Sequence, residues 1–177
     1  MSRIIPIVIT LLLLTSCSTN YKYFTQNLYN DYKWSDTELE RIQFYLSEDI
    51  VLYRRLAGED TEITRGRIRV VDGSEVEEVI IEKGTPGIFV QSPKQNRFAI
   101  SFDPDTNDFL MFGPNPKANG KYVLLAKDWS RRVGKVTYGG TVYDTSSESA
   151  YAALMVDIKR AKNVKYKSKR VEGARVK

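Results

Sequence analysis

From residue 44 onward the chain alternates. Phe44, Leu46, Ile50, Leu52 and Leu56 all fall on even positions, the period of a strand with one buried face and one wet face. Ser47-Glu48-Asp49 breaks the alternation and predicts a turn or bulge. Further β-type runs follow. Thr61–Val71 and Val76–Lys83 flank Asp72-Gly73-Ser74, a hairpin signal, and Gly84-Thr85-Pro86-Gly87 predicts a turn. Ile88–Gln91, Arg97–Phe102, Asp108–Phe112 and Tyr122–Lys127 read as strands, separated by Ser92–Asn96, Pro104–Asn107 and Gly113–Gly120. Val133–Tyr138 and Thr141–Tyr143 flank Gly139-Gly140. Short strands at a spacing of about ten residues predict a mainly β domain, an antiparallel β-sandwich or small barrel with a short N-terminal helix. No repeat of solenoid or propeller period is present.

The pattern departs from this period at both ends. Ser35-Asp36-Thr37-Glu38 has the spacing of a capping box and predicts a helix over 36–42 that buries Leu39 and Ile42. Before it, Tyr21, Phe24, Leu28 and Tyr32 fall at helical spacing in a polar stretch unusually rich in aromatics, which ends at Trp34. Residues 17–35 are therefore expected to form an aromatic-rich tether, with 36–177 as a single domain. Tyr21, Phe24, Tyr32 and Trp34 are the candidates for contact with a membrane interface or a partner, since Tyr and Trp join an apolar body to a polar tip. Packing of the same segment on the domain as a lid is the competing expectation. The stretch 147–160 suits either an Ala-rich helix capped at Ser147 or Ser149, or a strand that continues into the basic tail; the strand is the expectation adopted.

The N-terminus carries an apolar run, Ile4 to Leu14, behind a single basic residue, Arg3. It is too short for a transmembrane helix, which needs about 20 residues, and it has the layout of a secretory signal. With Leu14-Thr15-Ser16-Cys17 at its end, it resembles the signal peptide and lipobox of bacterial lipoproteins. The resemblance implies removal of 1–16 and acylation of Cys17. It also implies anchoring to the cell envelope, and Ser18 after the cysteine points to the outer membrane, facing the periplasm. Two or three acyl chains make a stable anchor.

Charge and composition narrow the chemistry. Residues 36–83 hold thirteen acidic and seven basic side chains, whereas 84–177 hold eight and seventeen. Such a dipolar chain suits a charged surface or partner. The chain has no histidine and a single cysteine, so Ser-His and Cys-His catalytic pairs and imidazole metal sites are excluded. An acylated Cys17 leaves no thiol for a disulfide, a metal or a nucleophile. Walker-type and dinucleotide-binding glycine loops are also missing. Carboxylates gather in 59–62, 75–82 and 103–108. Asp103, Asp105 and Asn107 match the first ligand positions of a calcium loop, but Asp108 and Pro114 stand where that loop needs Gly and Glu, and a tight turn explains the same residues.

The basic tail is the stronger candidate. Lys159, Arg160, Lys162, Lys165, Lys167, Lys169 and Arg170 crowd the C-terminus, and a strand would line up Lys165, Lys167 and Lys169 on one face. Lysines that guard an edge strand are one explanation. An anionic partner, such as peptidoglycan or anionic lipid head groups, is the other. Nucleic acid suits the charge but not an exported protein. The expected function is that of a lipid-anchored, non-enzymatic scaffold or accessory subunit that works with envelope proteins and needs no cofactor. The alternatives are a lipid or sugar carrier with a barrel interior, and a carboxylate-based envelope hydrolase.

Overall fold

The computed structural model describes residues 20–56, 66–71, 74–103 and 108–166. The expected signal segment with Cys17 lies outside them, as do Asp105, Asn107, Lys167, Lys169 and Arg170. The chain begins with β1 (Tyr21–Tyr23), α1 (Gln26–Tyr32) and α2 (Asp36–Leu39), followed by β2 (Phe44–Leu46) and β3 (Ile50–Arg55). Next come β4 (Arg67–Val71), β5 (Ser74–Ile81), β6 (Pro86–Lys94), β7 (Arg97–Ser101), β8 (Leu110–Asn115) and β9 (Lys121–Leu124). The last elements are β10 (Lys127–Ser130), β11 (Val133–Tyr138), β12 (Thr141–Ser146), β13 (Leu154–Asp157) and α3 (Ile158–Tyr166).

The strands form two antiparallel sheets. One has the order β1-β13-β2-β6-β7-β8-β9 and the other β10-β11-β12-β3-β5-β4. Of the two expected architectures, the sandwich is therefore the one adopted. The seven-stranded sheet curls, and a few bonds tie its edges together. Gln26 N–H donates to the Gly120 carbonyl at 2.8 Å and Tyr122 N–H to the Phe24 carbonyl at 3.0 Å. These are isolated bridges, at Thr25–Lys121 and Val123–Ala153, and not the continuous ladder of a closed barrel. They occupy edge groups that would otherwise offer a template for another strand.

Local chemistry explains most of the elements. β2 and β3 bury the even positions as the alternation predicts, but Ser47-Glu48-Asp49 also carries the chain from one sheet to the other. β4 and β5 pair from Val71–Ser74 outward, as expected of the hairpin around Asp72-Gly73, although those two turn residues are outside the described set. Gly139 and Gly140 take φ of 57° and 76°, which the two-residue β11–β12 turn requires. Ser35 N–H and Oγ both bond to Glu38 Oε2, at 2.9 and 3.0 Å. The helix that follows ends at Leu39 and not at 42, yet Leu39 and Ile42 are buried as expected.

The segment 21–34 packs on the domain, as the second of the two expectations had it, and is not a free tether. Tyr21, Phe24, Leu28 and Tyr32 do not share one helix. Tyr21–Tyr23 pairs with β13, and the helix begins only at Gln26, where the Thr25 side chain accepts from Leu28 N–H. Phe24 is fully buried at the centre of the core, with ring centroids 5.0–5.9 Å from Tyr122, Phe44, Phe98 and Trp34. Trp34 is buried as well. The segment is thus part of the domain and fills the curled sheet from within.

A second anchor lies between β3 and β5. Glu77 is buried, forms a salt bridge with Arg54 and accepts from the Tyr143 hydroxyl at 3.3 Å. Removing one partner of such a pair strands the other charge.

Two substitutions test this account of the core. Phe24→Ala is expected to lower stability by about 3–5 kcal/mol in urea denaturation; a change below about 1 kcal/mol, within the range of surface substitutions, would return the segment to the role of a tether. Glu77→Ala is expected to cost about 3 kcal/mol. Glu75→Ala, on the same strand but exposed, should stay within about 0.5 kcal/mol.

Candidate functional site

The four aromatics expected at a contact surface separate. Phe24 and Trp34 are core, and burial removes them from any contact role. Tyr32 is half-buried and stacks on Trp34, with centroids 4.7 Å apart and planes 9° apart. Tyr21 is exposed on β1, its ring centroid 4.6 Å from that of Tyr45. Tyr23 joins it on the same face, with Lys121 Nζ 3.6 Å from its ring centre, a cation–π contact. The period-two spacing of Tyr21 and Tyr23 was the available signal for this face, and the helical reading of the segment hid it.

The basic segment is also reorganised. The strand expected to continue through 160 stops at Asp157, and α3 takes over. The reason is local: Asp157 Oδ1 accepts from Lys159 N–H at 3.0 Å and Arg160 N–H at 3.3 Å, the geometry of a helix N-cap. Behind the cap, Ile158, Ala161 and Val164 recur every three residues and pack on the core. Lys159, Arg160 and Lys162 are left exposed, Lys162 with its Nζ 5.8 Å from the Tyr32 ring centre. Lys165 therefore lies on a helix, which removes the strand face proposed for it with Lys167 and Lys169. The latter two and Arg170 are outside the described residues.

Of the calcium candidates, Asp103 alone is described. Its N–H donates to Ser101 Oγ at 3.3 Å, and its carbonyl accepts from the same hydroxyl at 2.9 Å. No group of three His, Cys, Asp or Glu side chains is placed to hold a metal among the described residues. Among the same residues, no helix is long and apolar enough to cross a membrane.

A cleft that the sequence did not reveal opens where β11 packs on β8. Its volume is about 610 Å³. The floor is apolar, with Phe109, Met111, Leu125, Ala126 and Val136, and the rim is cationic, with Lys94, Arg97, Lys127 and Lys135. Lys94 and Arg97 face each other across the turn of the β6–β7 hairpin. Lys135 is engaged by Asp144 at 2.8 Å, which raises its pKa and keeps it charged. Lys94, Arg97 and Lys127 form no salt bridge among the described residues. Asp108, which is buried, is the one carboxylate among the described lining residues. Beside the cleft, the chain packs closely at Gly134, where a Cβ would sit 2.8 Å from the Trp129 ring and 2.9 Å from Ala126. Such a cleft can bind and orient an anion with an apolar body. Its described lining offers no nucleophile–base pair and no facing pair of carboxylates.

The interior of the curled sheet, by contrast, is filled by its own rings. Phe89, Phe98 and Tyr122 complete the cluster around Phe24, and burial pushes the Tyr122 hydroxyl well above the ordinary tyrosine range. That hydroxyl donates to Gln26 Oε1 at 3.1 Å.

In comparison with known proteins, the chain matches no family model, no curated protein and no solved structure. The reading of function rests on this chain's own residues.

Proposed function

We propose that the chain is a lipid-anchored protein of the bacterial cell envelope that acts without catalysis, as a scaffold or accessory subunit docked on the membrane by its N-terminal face. The observation that carries the docking is the position of β1. The strand begins at Tyr21, four residues after Cys17. A chain of that length reaches about 14 Å at full extension. An acylated Cys17 would hold the β1 face against the head groups.

The face suits that position. Tyr21 and Tyr23 are exposed, and Lys121 lies over the Tyr23 ring. Tyrosine partitions into membrane interfaces because its ring is apolar and its tip is polar. A lysine near an anionic head-group layer adds about 1 kcal/mol. Arg160, which contacts Asp157 at 3.4 Å, stands at the end of β13 beside Tyr21. The rest of the sandwich then faces outward, free to hold an envelope partner.

The anchor is tested by mass spectrometry. The wild type is expected to show loss of residues 1–16 and acyl mass on Cys17, and Cys17→Ala to lose the acyl mass and keep residues 1–16; a wild type with no acyl mass would contradict the anchor. Docking is tested with residues 17–177 carrying Cys17→Ser, which lack the apolar run Ile4–Leu14, and phosphatidylglycerol vesicles. Binding should be weak at low salt and should fall at least threefold in Tyr21→Ser/Tyr23→Ser/Lys121→Gln. Equal binding by the triple variant would contradict docking through this face. The scaffold role is tested by affinity purification from detergent-solubilised membranes, where enrichment of an envelope protein supports it and a lone monomer opposes it.

A further inference from the structure

We propose that the cleft between the two sheets is a binding site for a single-chain anionic amphiphile, a fatty acid or an alkyl phosphate. Its head would be held at the rim by Arg97 and Lys127, and its chain would lie on Phe109, Met111, Leu125 and Val136. The inference goes beyond membrane anchoring and does not depend on it.

Three features of the cleft lead to this ligand class. The first is size. About 610 Å³ falls within the range of about 300–1,000 Å³ typical of small-molecule sites. A standard protein partner instead covers about 800 Å² of each surface. The second is the division of the lining. Phe109, Met111 and Leu125 are only half-buried, so their apolar surface is still open toward the cleft. Covering such surface with an alkyl chain is favourable because it removes apolar area from water. Met111 adds a flexible thioether that adapts to a chain better than a branched side chain does.

The third feature is charge. Among the described lining residues, Lys94, Arg97 and Lys127 stand against one buried carboxylate, Asp108, while Lys135 is already matched by Asp144. The surplus among these residues is positive, and the cations come from both walls, Lys94 and Arg97 from the β6–β7 hairpin and Lys127 from β10. A planar guanidinium is suited to bidentate recognition of a carboxylate or phosphate. A neutral alcohol would leave these cations unmatched. A free anion would leave the floor exposed. The amphiphile satisfies both.

A local reporter is present. Trp129 Nε1–H donates to the carbonyl of Ala126 at 3.2 Å, and Ala126 lines the cleft. A ligand on the floor should therefore change the emission of Trp129, whereas Trp34 is buried in the aromatic core away from it.

The test uses residues 17–177 carrying Cys17→Ser, so that neither acyl chains nor the apolar run Ile4–Leu14 can enter the cleft. Dodecanoate, dodecyl phosphate, dodecanol, acetate and inorganic phosphate are titrated below micelle formation, with calorimetry and tryptophan emission as readouts. At least one of the two anionic amphiphiles is expected to bind saturably, one per chain, with a change in emission. Which of them binds more tightly separates a carboxylate ligand from a phosphate ligand. Dodecanol, acetate and inorganic phosphate should bind at least tenfold more weakly. Arg97→Gln/Lys127→Gln should weaken the anionic amphiphile about tenfold, since both residues are exposed and the fold should not change. Met111→Glu should abolish binding by setting a carboxylate on the floor. No saturable binding of either anionic amphiphile, equal affinity for dodecanol, or an unchanged affinity in the double variant would each overturn the proposal.

Discussion

The packing of Phe24 inside the curled seven-stranded sheet is the contact on which the rest of the molecule depends. Its ring meets Phe44, Phe98, Tyr122 and Trp34, side chains from β2, β7, β9 and the loop before α2. Its backbone N–H donates to Leu154 on one side, and its carbonyl accepts from Tyr122 on the other. One residue thus fills the interior and bridges the two edges of the sheet. A domain with no disulfide to rely on has to gain its stability from such burial, and here the N-terminal segment supplies a large part of it.

The consequence for function is mechanical. A tether would let the domain roam above the membrane, as a flexible linker does. A first strand paired with β13 fixes Tyr21–Tyr23 to the body of the protein. On the proposed anchoring, only the four residues from Cys17 to Tyr21 separate the acyl chains from that body. The ion pairs Arg54–Glu77 and Lys83–Glu48 lie within the acidic half of the chain, and Lys135–Asp144 and Arg160–Asp157 within the basic half. These pairs are made inside each half, so they do not cancel the difference between the halves.

Much of the β architecture was legible because it rests on local signals. The even-numbered run from Phe44 to Leu52, the Gly139-Gly140 turn, the Ser35–Glu38 cap and the hairpin signal between β4 and β5 each lead to the element observed. The failures have physical causes as well. Asp157 ends a strand and caps a helix in one step, so apolar and charged positions on either side belong to different periods. β10 has no buried face to give it a pattern, and it was hidden in the sequence behind the turn signals around it. Phe24 and Trp34 resembled interface aromatics because composition alone does not distinguish a ring that meets water from one that closes a sheet. The cleft was beyond reach for a different reason: Lys94, Met111, Lys127 and Val136 come from four separate strands, and only the pairing of the sheets brings them together.

The central claim is that the anchored domain lies on the bilayer by the β1 face, without a free tether. Spin labels test it most directly, because Cys17 is the single cysteine and, acylated as proposed, leaves an introduced cysteine as the only free thiol. Labels are placed at Tyr23→Cys, on β1, and at Val142→Cys, exposed on β12 of the other sheet, in acylated protein reconstituted into phosphatidylglycerol vesicles. The account predicts that the label at 23 is reached preferentially by a membrane-soluble relaxant and the label at 142 by an aqueous one. Equal exposure of both labels to the aqueous relaxant would contradict it.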